Sequence, residues 1–223
     1  MTVVGVSRNN WRENDPHADA ADAEYRAKRP AALAREQFTC RDCKVISQGG
    51  MEIHHQDCNH ANNDEANLGC ACVLCHPVNH IGELSSRHGR VDSSEVVGGG
   101  GVQLGYLPDL SQADLSNLFR TIGHVLQHGT EAQRLEAESI YQSLCAYSQY
   151  VEAAWGTSSA SYFAIALKEC SPEVYEQRAE PLRGIRVLFT MDAVRNLSAK
   201  FSKEFASLPL LSWGTIAAQR TSK

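Results

Sequence analysis

Cys40-Arg41-Asp42-Cys43, then Met51-Glu52-Ile53-His54-His55, then Cys72-Val73-Leu74-Cys75-His76-Pro77-Val78-Asn79-His80 are the segments that decide how this chain is read. Each C-x2-C pair is a knuckle, a tight turn that aims two sulfurs at one ion, and four such sulfurs close a tetrahedral zinc site. With every position filled by sulfur, no place is open for water, so Cys40, Cys43, Cys72 and Cys75 are expected to hold a structural Zn2+. The competing reading, four unpaired cysteines in a core, does not account for the spacing.

Six of the eight cysteines fall between residues 40 and 80, together with five of the nine histidines. No apolar run flanked by a basic segment and a small-residue cleavage site opens the chain, and no stretch approaches the roughly 20 apolar residues of a membrane span. A cytoplasmic protein without a transmembrane segment is the expectation. In that compartment thiols stay reduced, so the cysteines point to metal rather than disulfides. Cys58 and Cys70 read as bystanders near the zinc, and Cys145 and Cys170 as small core residues.

The composition is that of an ordinary globular protein: 223 residues, 43% hydrophobic and 21% charged. A formal net charge of -5 argues against a broad basic face for wrapping nucleic acid and leaves room only for a local patch.

Outward from the cysteine-rich segment, residues 16–37 are Ala-rich and suggest a helical lead-in broken near Pro30. A short strand is expected at residues 51–55, then a polar loop holding His60, and a helix starting near Cys75. Residues 88–105, with His88 and the run Gly98-Gly99-Gly100-Gly101, read as a loop; no Gly-Lys-Ser or Gly-Lys-Thr follows, so this is no P-loop. Beyond Pro108 the period becomes helical. Leu115, Leu118, Phe119, Ile122, Val125 and Leu126 form one apolar stripe behind a capping-box-like Ser111 and Asp114. Further helices are expected over 131–155, 160–168, 173–180 and 192–205. The fold class is therefore α+β, a small zinc module followed by an α-helical domain. The division is residues 1–35 as lead-in, 36–90 as zinc module, 91–107 as Gly-rich loop and 108–223 as helical domain.

Ile53-His54-His55-Gln56-Asp57, Asn67-Leu68 and Cys72-Val73-Leu74-Cys75-His76, with His80 after a gap of three, closely resemble the HNH endonuclease motif of ββα-metal modules. That resemblance implies a second, catalytic metal site. His54, His76 and His80 would hold a divalent cation (Mg2+, Mn2+, Ni2+ or Zn2+), His55 would be the general base on water, and Asn67 would orient it, with DNA as substrate. The chemistry is consistent: residues 76 and 80 project from one face of a helix, imidazole titrates near neutrality, and a cation stabilises charge in a hydrolytic transition state. The alternative is that these histidines only hydrogen-bond the strand to the helix.

A second resemblance covers more of the chain. Residues 98–115, Gly98-Gly99-Gly100-Gly101-Val102-Gln103-Leu104-Gly105-Tyr106-Leu107-Pro108-Asp109-Leu110-Ser111-Gln112-Ala113-Asp114-Leu115, are similar to the IcmJ (DotN) family of Dot/Icm-type, or IVB, secretion systems. So are Ile140-Tyr141-Gln142-Ser143, Val151-Glu152-Ala153-Ala154-Trp155-Gly156 and Ile185-Arg186-Val187-Leu188; the similarity runs from about Trp11 to about Phe205. It implies a cytoplasmic subunit, peripheral to an inner-membrane complex. Such a subunit clamps the C-terminal tail of the coupling ATPase, joins other type IV coupling-complex subunits and helps recruit secreted or conjugated substrates. In the family pattern the zinc cysteines persist and the HNH histidines are lost. This sequence departs from that pattern at His54, His55, His76 and His80. Two readings result, a zinc-stabilised scaffold first and a metal-dependent DNA endonuclease second, with a generic zinc-finger interaction protein as the plain third.

Overall fold

The first helix, α1 (Ala18–Arg35), does not break at Pro30 but runs through it. A proline inside a helix costs about 3 kcal/mol, and contacts on both sides of it offset that cost. Tyr25 Oη donates to the Ile53 carbonyl at 3.1 Å, Lys28 Nζ to that of Asn63 at 2.9 Å, and Arg29 to that of Met51 at 3.0 Å. Beyond the proline, Arg35 donates to the carbonyls of Glu65 and Leu68. The computed structural model that provides these contacts describes residues 3–6, 17–81 and 102–206. The expected Gly98–Gly101 loop and His88 lie outside the described residues.

Against α1 lies a two-stranded antiparallel sheet, β1 (Met51–His55) with β2 (Leu68–Cys72), in the register Met51↔Cys72, Ile53↔Cys70 and His55↔Leu68. The two-residue period of β1 buries Met51, Ile53 and His55 on one face and turns Glu52 and His54 to the other. The first knuckle is closed by Cys40 N–H to the Val45 carbonyl and Lys44 N–H to the Cys40 carbonyl, with Lys44 in the left-handed region. After the second knuckle, residues His76–His80 form a 3-10 turn rather than the first turn of an α-helix.

The second half is mostly helical but is built around a strand pair that the sequence reading did not anticipate. Residues 102–106, placed in the loop, form β3 (Val102–Tyr106), and this pairs antiparallel with β4 (Ile185–Phe189). Between them come α2 (Gln112–His128), α3 (Glu131–Cys145), α4 (Ser148–Trp155), α5 (Ala160–Glu169) and α6 (Pro172–Glu176). After β4 follow α7 (Met191–Ser198) and α8 (Ser202–Ala206). The expected helix over 131–155 is two, parted at Ala146 and Tyr147; that over 192–205 is likewise interrupted by a 3-10 turn at Ala199–Phe201. The Ser111 hydroxyl caps α2 by accepting from Asp114 N–H, as the pattern predicts, and Thr130 with Gln133 makes a full capping box on α3.

The α2 stripe is the core of this half. Leu115 and Phe119 are fully buried with Val187, Phe189, Val194 and Phe201, and Phe119 meets Phe189 edge-on with ring centres 5.8 Å apart. Helix α7 approaches α2 so closely at Gly123 that an added Cβ would lie 2.2 Å from Ser198 Oγ, a place only glycine fits. The two halves share one continuous hydrophobic core. At their seam Phe201 presses on Gly50, and the Gln48 amide donates to Glu204 Oε1 at 3.2 Å. Cys145 and Cys170, expected in the core, are only half-buried.

Candidate metal centres

The four knuckle cysteines converge. Their sulfurs all lie within 4.8 Å of one another and all four residues are buried. Cys43 Sγ and Cys72 Sγ are 3.6 Å apart, far beyond the roughly 2.05 Å of a disulfide and close to the roughly 3.8 Å expected between sulfurs that each sit about 2.3 Å from a tetrahedral zinc. Cys70 and Cys58 do not join the group.

Crowding four thiols together sets their acidities against each other. The bond with Cys43 raises Cys40, but bonds from Cys72 and Cys75 outweigh it and bring that thiol down to about 6. Hydrogen bonds from Cys40, Cys72 and Cys75 hold Cys43 far below the thiol range, while the bonds with Cys40 and Cys43 keep Cys72 and Cys75 above it. A dication resolves this conflict by favouring all four thiolates at once. The pair of negative charges left over in such a centre is met by N–H groups: Cys72 N–H points at Cys40 Sγ at 3.3 Å, and the Arg120 guanidinium from α2 reaches Cys43 Sγ at 3.9 Å. The donor set, its spacing and its surroundings fit a bound metal ion.

The second group, His54, His76 and His80, also has its ligand atoms within 4.8 Å of one another. His54 Nδ1 and His80 Nε2 are 3.1 Å apart, near the roughly 3.3 Å separating two nitrogens that each lie about 2.05 Å from one tetrahedral ion. The 3-10 winding of residues 76–80 does not part the last two rings, whose centres are 5.0 Å apart. His76 Nδ1 is 2.6 Å from Glu52 Oε2, so the carboxylate fixes that ring and leaves Nε2 for a cation, a carboxylate–histidine pairing common around metal ligands. Burial, reinforced by the neighbouring His76, lowers the pKa of His54 to about 4, so its lone pair is available at neutral pH.

These three histidines line a cavity of about 280 Å³ together with His55, His60, Glu52 and the α1 residues Asp22, Tyr25 and Arg29. His55 is 5% exposed, packs against Tyr25 and His60 with ring centres 5.3 and 4.9 Å away, and has Nε2 2.9 Å from Asn63 Oδ1. Asn67 is not among the lining residues. Its side chain accepts from Asp57 N–H at 3.0 Å and donates to Asp57 Oδ1 at 2.9 Å and the Asn62 carbonyl at 2.8 Å, closing the 56–67 loop that carries His60.

The structure thus gathers the seven residues expected as ligands into two clusters and places His55 in the cavity of the second, beside Glu52, His60, Asn63 and a wall of α1 that the sequence motifs do not include. Glu52 had a legible signal: it stands two positions before His54 on a strand and so shares its face. His60 lies in a polar loop outside the motif and carries no local signal of its place in the cavity. Asn63 and α1 are brought in by tertiary packing, which no local pattern announces.

No family model matches the chain. It is similar to the type 4 apparatus protein DotN of Legionella pneumophila, with 28% identity over 185 residues, covering 82% of this chain and 80% of that protein.

Proposed function

We propose that this protein is a zinc-stabilised, IcmJ/DotN-like cytoplasmic subunit of a type IV secretion coupling complex. In this reading it sits peripheral to the inner membrane, binds the C-terminal tail of the coupling ATPase beside other subunits, and supports substrate recruitment. The observation that carries the reading is the similarity to DotN across both the cysteine module and the helical half. Among the described residues no helix is long and apolar enough to cross a membrane, which accords with a peripheral position.

A docking surface is available on the helical half. A groove of about 360 Å³ between α4, α5 and α6 is lined by Trp155, Tyr162, Phe163, Leu167, Val174 and Leu182. Trp155, Tyr162 and Val174 are each about half exposed, the kind of apolar surface that receives an amphipathic or extended segment. The test is co-purification of the full chain with the tail of a coupling ATPase from the same system. Tyr162→Glu and Val174→Glu should release the tail while leaving the fold intact; tail binding unchanged by both removes this surface from the account.

One observation favours a second reading, metal-dependent HNH endonuclease: the complete histidine set gathered in one cavity with His55. His54, His76 and His80 would hold a divalent ion, with zinc at the four thiolates. The ion would supply positive charge for the phosphate in the transition state. His55 would take the proton of the attacking water, and Glu52 would hold His76 in place. A plasmid-nicking assay with Mg2+, Mn2+ or Ni2+ decides between binding and turnover. If the wild type cleaves, His55→Ala should lower the rate by about 10² to 10⁴-fold without loss of metal; no cleavage with any of these metals leaves the scaffold reading alone.

A further inference from the structure

Asn63 belongs to none of the sequence motifs, yet it is 3% exposed and its side-chain amide has a defined orientation. The amide nitrogen Nδ2 donates to the Ala21 carbonyl at 3.0 Å and to Glu24 Oε2 at 3.4 Å, both on α1. The amide oxygen is therefore the atom turned to His55 Nε2, at 2.9 Å. Rotating the amide by half a turn would place its oxygen against a carbonyl and a carboxylate, two contacts between acceptors. The backbone of Asn63 is held on the same helix, since Lys28 Nζ donates to its carbonyl at 2.9 Å. The hydrogen bond to His55 thus has a direction: Nε2–H donates and Oδ1 accepts. A neutral imidazole carries one N–H and one lone pair, so the lone pair of His55 is on Nδ1.

We propose that Asn63 is the positioning residue of the histidine cavity, fixing His55 in the Nε2–H tautomer so that Nδ1 is its basic nitrogen. The Tyr25 and His60 rings pack against it, with centres 5.3 and 4.9 Å away. What Asn63 adds is the choice of nitrogen. The functional consequence rests on the second reading above. In it, Nδ1 takes one proton from water as the water oxygen bonds to phosphorus, the phosphorus–oxygen bond to the leaving ester breaks, and the departing oxygen takes up a proton from solvent. With the other tautomer Nδ1 carries a proton and cannot accept this one. Helix α1 then becomes part of the site, although none of its residues belongs to the motif.

The experiment is long-range 1H–15N NMR on full-length, zinc-loaded protein with 15N-labelled histidine, His55 being assigned by its loss in His55→Ala, alongside plasmid cleavage with Mn2+. The expected wild-type result is a protonated Nε2 and an unprotonated Nδ1. Asn63→Leu should give mixed tautomers and a cleavage rate lower by about two- to tenfold, the rate following the fraction of rings whose Nδ1 is unprotonated, with Mn2+ still bound at the three histidines. If the leucine variant fails to fold, the wild-type spectrum alone decides. A protonated Nδ1 in the wild type overturns the proposal, as does an Asn63→Leu protein that cleaves at the wild-type rate. A wild type that cleaves nothing overturns the catalytic role, and a protonated Nε2 in that same inactive protein identifies the nuclease reading as the part that failed.

Discussion

Replacing Phe119 by alanine tests whether the helical half and the four-cysteine centre behave as one body. The Phe119 side chain is fully buried and meets Phe189 edge-on at 5.8 Å and Tyr141 at 6.3 Å. Truncating a core phenylalanine costs about 3–5 kcal/mol in lost transfer and cavity energy, within which the aromatic pairing is worth about 1 kcal/mol. Against a total stability of about 5–15 kcal/mol that is a large fraction. For a chain of this size about 2–4 °C of melting temperature is lost per kcal/mol, so a drop of roughly 6–20 °C is expected by circular dichroism. Helix α2, which carries Phe119, also carries Asn117 and Arg120, whose side chains reach the Cys43 carbonyl and sulfur. Loosening α2 should therefore also speed zinc transfer to a chelating dye at temperatures below the transition. A melting temperature within 2 °C of the wild type would refute the packing argument. A large drop with unchanged zinc release would show that the two halves are energetically separate.

Three further predictions concern the histidine cluster. His76→Ala should abolish binding of a second divalent ion while leaving the zinc stoichiometry unchanged, and Glu52→Gln should weaken that binding by about 10- to 100-fold, both read by isothermal titration. The third is a pH effect: the pKa of His54 falls from its ordinary value to about 4 on burial, so the unfolded chain binds the proton more readily. Without added divalent ion, the stability owed to that burial is complete above about pH 6.5 and is lost as pH falls through 4; a melting temperature that rises over that descent contradicts it.

The two candidate metal clusters were legible because their determinants are local. The C-x2-C knuckles, the His54 strand position and the His76–His80 spacing each constrain geometry within a few residues. The α2 stripe with its Ser111 cap was legible for the same reason, apolar period and capping group coinciding. The β3–β4 pair was not. Its strands lie some 80 residues apart, and Gln103-Leu104-Gly105 beside a glycine run carries turn residues where pairing across the fold makes a strand. The uninterrupted α1 was likewise hidden, since Pro30 predicts a break and the contacts to Met51, Ile53, Asn63, Glu65 and Leu68 that offset it come from tertiary packing. Asn63 became visible only when α1 and the 56–67 loop were seen together.

The proposed zinc centre of Cys40, Cys43, Cys72 and Cys75, on which the fold would depend, has a direct test. Native mass spectrometry with elemental analysis of the purified protein measures it directly, with Cys72→Ser beside the wild type. One tightly held zinc per wild-type chain is expected, and its loss in Cys72→Ser together with a collapse of thermal stability, since structural zinc contributes on the order of 10 kcal/mol to folding of such modules. A wild-type protein without zinc, or a Cys72→Ser protein that melts at the wild-type temperature, would contradict the account.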